Sequence, residues 1–444
     1  MGLLSTIETL INCMEENPKI MEQIEPITLQ VVGLILTKNV MEFYEEALAL
    51  VYSLTSTRIS PDLWKCFEMM FQMFKSDGFD YFTEMMPALH NYITVDTEGF
   101  ISSEARIAAV FEMCKTVLTQ VDCAEDDECH AAKLLEVIVL QCQGRINQCL
   151  GSIIQLVVER LLREVKTAEL RTMLLQVIIA VLYTAPDTLL QVLESTTLPN
   201  TTTTLTSHFI KQWIHDTDCF LGLHDRKICV LGMCTLLQLG PERLGVLQEC
   251  HKEIIPAMLM LFQGLKRAYA AKASEENSDD EDDGEEDEDI EHEVLESDED
   301  ELDDNGDEYL EKLGEKVKKA SAASPFAITA TVEDEEDDDD SDDEMDETAL
   351  ESFTTPLDRE ECEVDEYCVF KDVMQTLEAN APVWYQALTT GLTTDQQKVM
   401  QEVATLADQR RAAAQSKKIQ QSGGYNFQQT AVPTSFNFGG SFGS

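Results

Sequence analysis

The 444 residues carry 84 acidic and 32 basic side chains, a formal net charge of −52, and 44% of the chain is hydrophobic. That length suits one large or two ordinary domains, and so strong an acidic excess repels phosphate backbones and argues against direct binding to DNA or RNA. The thirteen cysteines lie mostly alone in apolar helical stretches (Cys66, Cys114, Cys142, Cys234), where they read as small buried hydrophobes of a reducing compartment and not as a disulfide framework.

From the start, Met1-Gly2-Leu3-Leu4-Ser5-Thr6 matches a myristoylation pattern, but the same residues open an amphipathic helix, which is the simpler account. No signal peptide and no apolar run long enough to span a bilayer stands out. Residues 1–272 then read as helix after helix. Apolar residues recur at i, i+3 or i+4, i+7 and i+11: Ile20, Ile24, Ile27, Val31; Leu63, Phe67, Met70, Phe74; Ile107, Val110, Phe111, Cys114, Leu118; Leu150, Ile153, Ile154, Val157, Leu161. Each set shares one face of a helix. Their first members stand 43 or 44 residues apart, with further helices expected near 40–56, 79–95 and 127–143. The repeating unit is therefore a helical hairpin with the about 40–47 residue period of HEAT repeats.

Punctuation agrees with this reading. Ser60-Pro61-Asp62 supplies a cap followed by proline at the first helical position. Ser102 and Ser103 precede another helix, and Pro186 and Pro241 open two more. After residue 193 the count slips. Thr201 to Thr204 reads as an inserted loop, beside a glycosylation sequon at Asn200 in spelling only, and helices resume near 205–217, 224–239 and 242–272. A lone hairpin cannot bury both its faces, so the hairpins stack into an all-α solenoid of about six units.

Residues 275–347 hold 38 acidic side chains against four lysines, too polar to offset the entropy of folding. Within them 307–319 has the spacing of a short helix. Residues 365–379 and 393–414 read as helical again, with Val369, Phe370, Val373, Leu377 and Trp384 expected to pack on the last repeat. The expected organisation is a solenoid over 1–273, a disordered acidic insertion over 274–348, a helical closing segment over 349–420, and a flexible Gly/Phe tail over 421–444.

Catalytic patterns are absent or weak. There is no phosphate-cradling glycine loop, nucleophile elbow or Cys-x-x-Cys pair. Cys123 and Cys129-His130 lack metal-ligand spacing, and His215 and His224 read as helix contacts. No cofactor, metal or catalytic residue is assigned. The acidic run is at least a solubilising stretch. As a function it is a polyanionic arm for basic partners (Asp279, Asp280, Glu281, Asp282, Asp283, and Asp337, Asp338, Asp339, Asp340), binding fast and with steep salt dependence. Ser278, Ser297 and Ser341 precede acidic residues and are candidate phosphorylation sites. Phe436, Phe438, Gly439, Phe442 and Gly443 form FxFG- and FG-like motifs suited to an apolar slot on a partner receptor. Arg410-Arg411 and Lys417-Lys418 fit either a short nuclear signal or, the preferred reading, a charged helix end contacting the acidic run.

Tyr81-Phe82-Thr83-Glu84-Met85-Met86-Pro87-Ala88-Leu89-His90-Asn91-Tyr92, the acidic insertion and the ending Phe436-Asn437-Phe438-Gly439-Gly440-Ser441-Phe442-Gly443-Ser444 together resemble the importin-β superfamily. The likeness covers essentially the whole chain and is to receptors of the importin seven and importin eight type, nearer the second. It implies a C-terminal region of a nuclear import receptor, moving between cytoplasm and nucleus. Implied partners are basic cargo such as ribosomal proteins or histones, importin-β, the Ran GTPase and nucleoporins. It also implies that the family's N-terminal Ran-binding repeats are missing, which leaves Ran-driven release in question and the Leu3, Ile7, Leu10 face uncovered. Two other readings compete: an acidic scaffold or histone-chaperone-like binder that never transports, and a cargo-binding short form without Ran control.

Overall fold

All regular structure in the described residues is helical. The computed structural model describes residues 2–15, 17–195, 204–279, 350–359 and 361–421, and no strand occurs among them. A leading helix, α1 (Gly2–Met14), precedes hairpins α2/α3 (Pro18–Thr37, Tyr44–Thr55), α4/α5 (Pro61–Ser76, Phe82–Thr94) and α7/α8 (Glu104–Thr119, Glu125–Gln141), with the short α6 (Thr97–Ile101) between the last two. Hairpin α9/α10 follows (Asn147–Leu161, Ala168–Thr184). The fifth first-helix position is split into α11 (Pro186–Ser195) and α12 (Leu205–His215), partnered by α13 (Leu223–Arg243). The chain continues with α14 (Leu247–Asp279), α15 (Glu366–Asn380), α16 (Pro382–Thr389) and α17 (Thr394–Gln421).

The helices form two layers. The second helices α3, α5, α8, α10, α13, α15 and α17 pack each on the next, with α1 at their head. The first helices α2, α4, α7, α9, α11, α12, α14 and α16 make the other row. Helices α2, α4, α7 and α9 start at Pro18, Pro61, Glu104 and Asn147, each 43 residues after the last, the period expected from the apolar spacing. The capping predicted at Ser60 is present: its Oγ accepts from Leu63 N at 3.1 Å, and Pro61 opens α4. Cys66, Cys114, Cys142 and Cys234 are buried, and all thirteen cysteines are free.

Three expectations need correction. First, the buried face of α2 is Met21, Glu25, Thr28, Val32, Ile35 and Leu36, whereas Ile27 is 66% exposed. An apolar-period reading slips by one position here because two buried residues are polar. Glu25 accepts hydrogen bonds from Arg58 (3.2 Å) and Ser60, which satisfies its charge. Second, α2 is long and apolar enough by composition to cross a membrane. It instead packs on α3 and α4 and buries that carboxylate. Third, Pro241 opens no long helix. Gly240 breaks α13 at φ 72°, a left-handed conformation natural to glycine, and the next helix begins at Leu247.

The stack counts seven hairpins among the described residues, not about six, because α15 to α17 extend both layers. Phe370, Val373 and Leu377 are buried against α13 and α14, with the Phe262 ring 5.1 Å from Phe370. Helix α14 runs through Asp279, past the boundary expected at 273. Asn200, Thr201, Thr202, Thr203 and the helical spacing at 307–319 lie outside the described residues. Leu3 is 75% and Leu10 45% exposed on α1.

Candidate functional site

Of the site residues singled out from sequence, two lie among the described residues. Ser278 and Asp279 fall on the helical backbone at the end of α14. Asp280, Glu281, Asp282, Asp283, Ser297, Asp337, Asp338, Asp339, Asp340, Ser341, Phe436, Phe438, Gly439, Phe442 and Gly443 lie outside the described residues. The described chain resumes at Leu350, packed on the stack. Residues 350–359 and 361–364, ahead of α15, cross the second-helix layer as a non-helical strap.

The strap is held along its length by side chains from three helices. Phe353 sits edge-on to His90 of α5 and His130 of α8, at centroid distances of 5.6 and 6.2 Å. His90 Nε2 donates to Thr354 O at 2.8 Å. Burial lowers the pKa of His90, against that hydrogen bond, so the neutral ring carries its proton on Nε2. Thr355 is fully buried and closes a local turn: its hydroxyl accepts from Leu357 N (3.1 Å), while its N and Oγ1 donate to Asp358 Oδ2 (2.7 and 2.9 Å). This is hydroxyl turn chemistry, which fixes a short loop without helix or strand. Lys227 of α13 donates to Leu357 O, and Arg359 donates to Gln141 Oε1 of α8 at 2.9 Å. At Gly222 the strap comes so close that a Cβ would fall on the Glu351 carboxylate.

Beneath the strap lies a buried ionic chain. His224 of α13 places Nδ1 2.7 Å from Asp358 Oδ1 and Nε2 2.9 Å from Glu136 Oε1 of α8. Glu136 Oε2 accepts from Lys133 Nζ at 2.9 Å. Lys133, Glu136, His224 and Asp225 are all under 5% exposed. Burial and Lys133 push the imidazole pKa down, but Glu136 and Asp358 outweigh them and raise it to about 9. Burial likewise opposes charge on Glu136, yet Lys133 and His224 hold it down to about 2. Asp358 is depressed below the usual carboxylate range: His224 and the Thr355 hydrogen bonds overcome its burial. The chain is thus ionised throughout at neutral pH, each charge compensated, as buried charge requires.

Both ring nitrogens of His224 face carboxylates and both carry protons, so the ring has no lone pair with which to act as a base. No group of three or more His, Cys, Asp or Glu suited to a metal occurs among the described residues. The arrangement holds the backbone of the strap in place.

Sequence reasoning placed His224 in helix contacts but missed its partners. The available signal was Lys133 and Glu136 inside the apolar run Leu134, Leu135, Val137, Ile138, Val139, Leu140, since charges on a buried helix imply a buried pair. Arg410 and Arg411 have also found defined partners. Arg410 NH1 lies 2.9 Å from Asp365 Oδ2, its guanidinium stacks 4.3 and 4.5 Å from the Tyr269 and Tyr367 ring centres, and Arg411 pairs with Asp372 at 2.7 Å. Among the described residues, the acids they meet belong to α15 and its cap.

The comparisons match this architecture. A family model described as "Importin-11-like, TPR repeats" matches residues 1–321. Importin-8 of Homo sapiens is 44% identical over 441 residues, covering 99% of this chain and 41% of the relative. Importin-8 of Danio rerio is 44% identical over 416 residues, 93% of this chain and 40% of the relative. A "Probable importin-7 homolog" of Dictyostelium discoideum is 26% identical over 240 residues, 53% of this chain and 22% of the relative. The chain spans about two-fifths of the length of the Importin-8 relatives. No solved structure matches it. With a helical-repeat family model covering most of its length and this identity along the whole of it, the chain belongs to the importin-β family, on its importin-8-like side.

Proposed function

We propose that this chain is the cargo-binding region of a nuclear transport receptor, working between cytoplasm and nucleus by binding alone. One observation supports this most: the 44% identity to human Importin-8 runs over 441 residues, through the helical stack and the acidic stretch alike. A scaffold or chaperone that never transports finds no counterpart among the relatives matched.

The cargo proposed is basic protein, of the kind found in ribosomal proteins and histones. The charge of 275–347, carried in part by Asp279 to Asp283 and Asp337 to Asp340, attracts lysine- and arginine-rich surfaces over a Debye length of about 8–10 Å. Ser278, Ser297 and Ser341 are the positions where phosphate would deepen that charge. Phe436, Phe438, Gly439, Phe442 and Gly443 are proposed to dock on a sister receptor of the importin-β type. Contact with Ran and nucleoporins is proposed at the level of the family.

Titrating a histone against the full chain and a 281–345 deletion tests the cargo reading. The deletion should weaken binding at least tenfold at low salt and flatten the salt dependence; equal affinity would remove the arm from the account. Import of a labelled histone into permeabilised cells tests transport itself, and a chain that binds the histone but never accumulates it in nuclei would overturn the receptor assignment.

A further inference from the structure

A stacked-repeat protein is ordinarily quasi-one-dimensional: each unit touches only its neighbours, and its curvature is the sum of small independent rotations. The strap breaks that rule. It belongs to the sixth hairpin, between α14 and α15, yet it grips α5 of the second through His90 and α8 of the third through His130 and Gln141. It also grips α13 of the fifth through His224 and Lys227. The Glu136–His224 contact itself joins α8 to α13 over the intervening α10.

We propose that residues 350–359 are a tie that fixes the curvature of hairpins two to six and makes them one cooperative unit. Three features carry this. The tie buries three of its side chains, with Leu350, Thr355 and Leu357 each under 7% exposed. Its attachments use backbone carbonyls at two points, Thr354 and Leu357, so they fix the path of the chain and not only a side chain. Its ends are held separately, by Phe353 between two imidazoles and by Asp358 on the ionic chain, so sliding along the layer breaks both. Bending the stack alters the spacing between α5 and α13, and a segment pinned to both resists that change.

Phe353→Ala and Asp358→Asn in the full chain test this, with hydrogen exchange read by mass spectrometry and shape by small-angle X-ray scattering. Both substitutions lie on the strap and leave every helix sequence intact. The expected result is exchange about tenfold faster in peptides of α5 and α8, a larger radius of gyration, and unchanged exchange in α16 and α17. Faster exchange confined to 350–359 and α13, with α5 unaltered, overturns the tie and leaves only a locally packed loop. Phe353→Ala removes no charge and serves where Asp358→Asn fails to fold. The readouts involve no cargo, so their failure is separate from that of the receptor reading.

Discussion

His224 holds Asp358 across 134 residues of sequence, Nδ1 to Oδ1 at 2.7 Å, while its other nitrogen holds Glu136 at 2.9 Å. One imidazolium therefore joins the returning strap to two helices that are not neighbours in the stack. The groups facing it are Lys133 and Glu136 from α8 and Asp358 from the strap; Asp225, next to it in sequence on α13, acts on Lys133.

The pH dependence follows from the directions of shift. The folded pKa of His224 is raised to about 9 above an unfolded value near 6.5. Its contribution is full below about 6.5 and disappears as pH rises through about 9. Glu136 and Asp358 are depressed, so theirs is present above about pH 4 and disappears on acidification. Urea unfolding should give a lower midpoint at pH 9.5 than at pH 7, with an unfolding free energy smaller by a few kcal/mol at most. A His224→Gln variant should show a much smaller difference between the two. Parallel loss in both proteins would assign the alkaline destabilisation to another group.

Arg410 should be needed to seat the last helix. Its guanidinium lies between Asp365 and the faces of Tyr269 and Tyr367, 3.6 Å from the buried Glu366 carboxylate. Burial opposes its charge, but Asp365 and Glu366 raise its pKa further. Arg410→Ala forfeits a desolvated cation–π contact of about 2 kcal/mol and leaves an acid uncompensated, so a loss of about 2–4 kcal/mol is expected. Arg410→Lys should recover only part, because an ammonium cannot stack as a plane. Limited proteolysis within 394–421 reads this directly. Equal resistance of wild type and Arg410→Ala would show the clamp to be idle.

The interior of α13 is closed to added volume at Gly232. A Cβ there would lie 2.5 Å from Ile179 Cγ2 and 2.9 Å from the Trp213 ring. Both neighbours are fully buried and cannot swing to solvent. Gly232→Ala should therefore destabilise by about 1–3 kcal/mol despite alanine's better helix propensity. A raised melting temperature for this variant would mean that α10 and α13 can separate without cost.

The helical stack was legible because its signal is periodic. Leu63, Phe67, Met70 and Phe74 repeat at helical spacing and are all buried. The strap was not legible. Residues 350–364 have no period, and their partners His90 and His224 lie 264 and 134 positions from the Thr354 and Asp358 they hold. Nothing local announces that Thr355 is fully buried. The phase of α2 was misread for a related reason: Glu25 is buried by virtue of Arg58 and Ser60, 33 and 35 residues on. Local pattern reports hydrophobic faces well, whereas a satisfied buried charge depends on a partner that only the fold supplies.

Two buried carboxylates, Glu25 and Glu128, should respond very differently to loss of their arginines. Glu128 is 3% exposed and takes two hydrogen bonds from Arg160, at 2.6 and 2.7 Å, with Arg160 itself 6% exposed. Glu25 is 9% exposed, but its Arg58 is 41% exposed, and Ser60 also donates to it. Arg160→Ala strands a charge in the interior, where the half-exposed Arg163 at 3.7 Å is, among the described residues, what remains to answer it. The expected cost is about 3–5 kcal/mol. Arg58→Ala removes a partner already half in water and leaves the serine in place, so about 1 kcal/mol is expected. Chemical denaturation of the two variants should rank them in that order; equal costs would show that Arg163 or water reaches Glu128 and that the α8–α9 junction is looser than its two short hydrogen bonds imply.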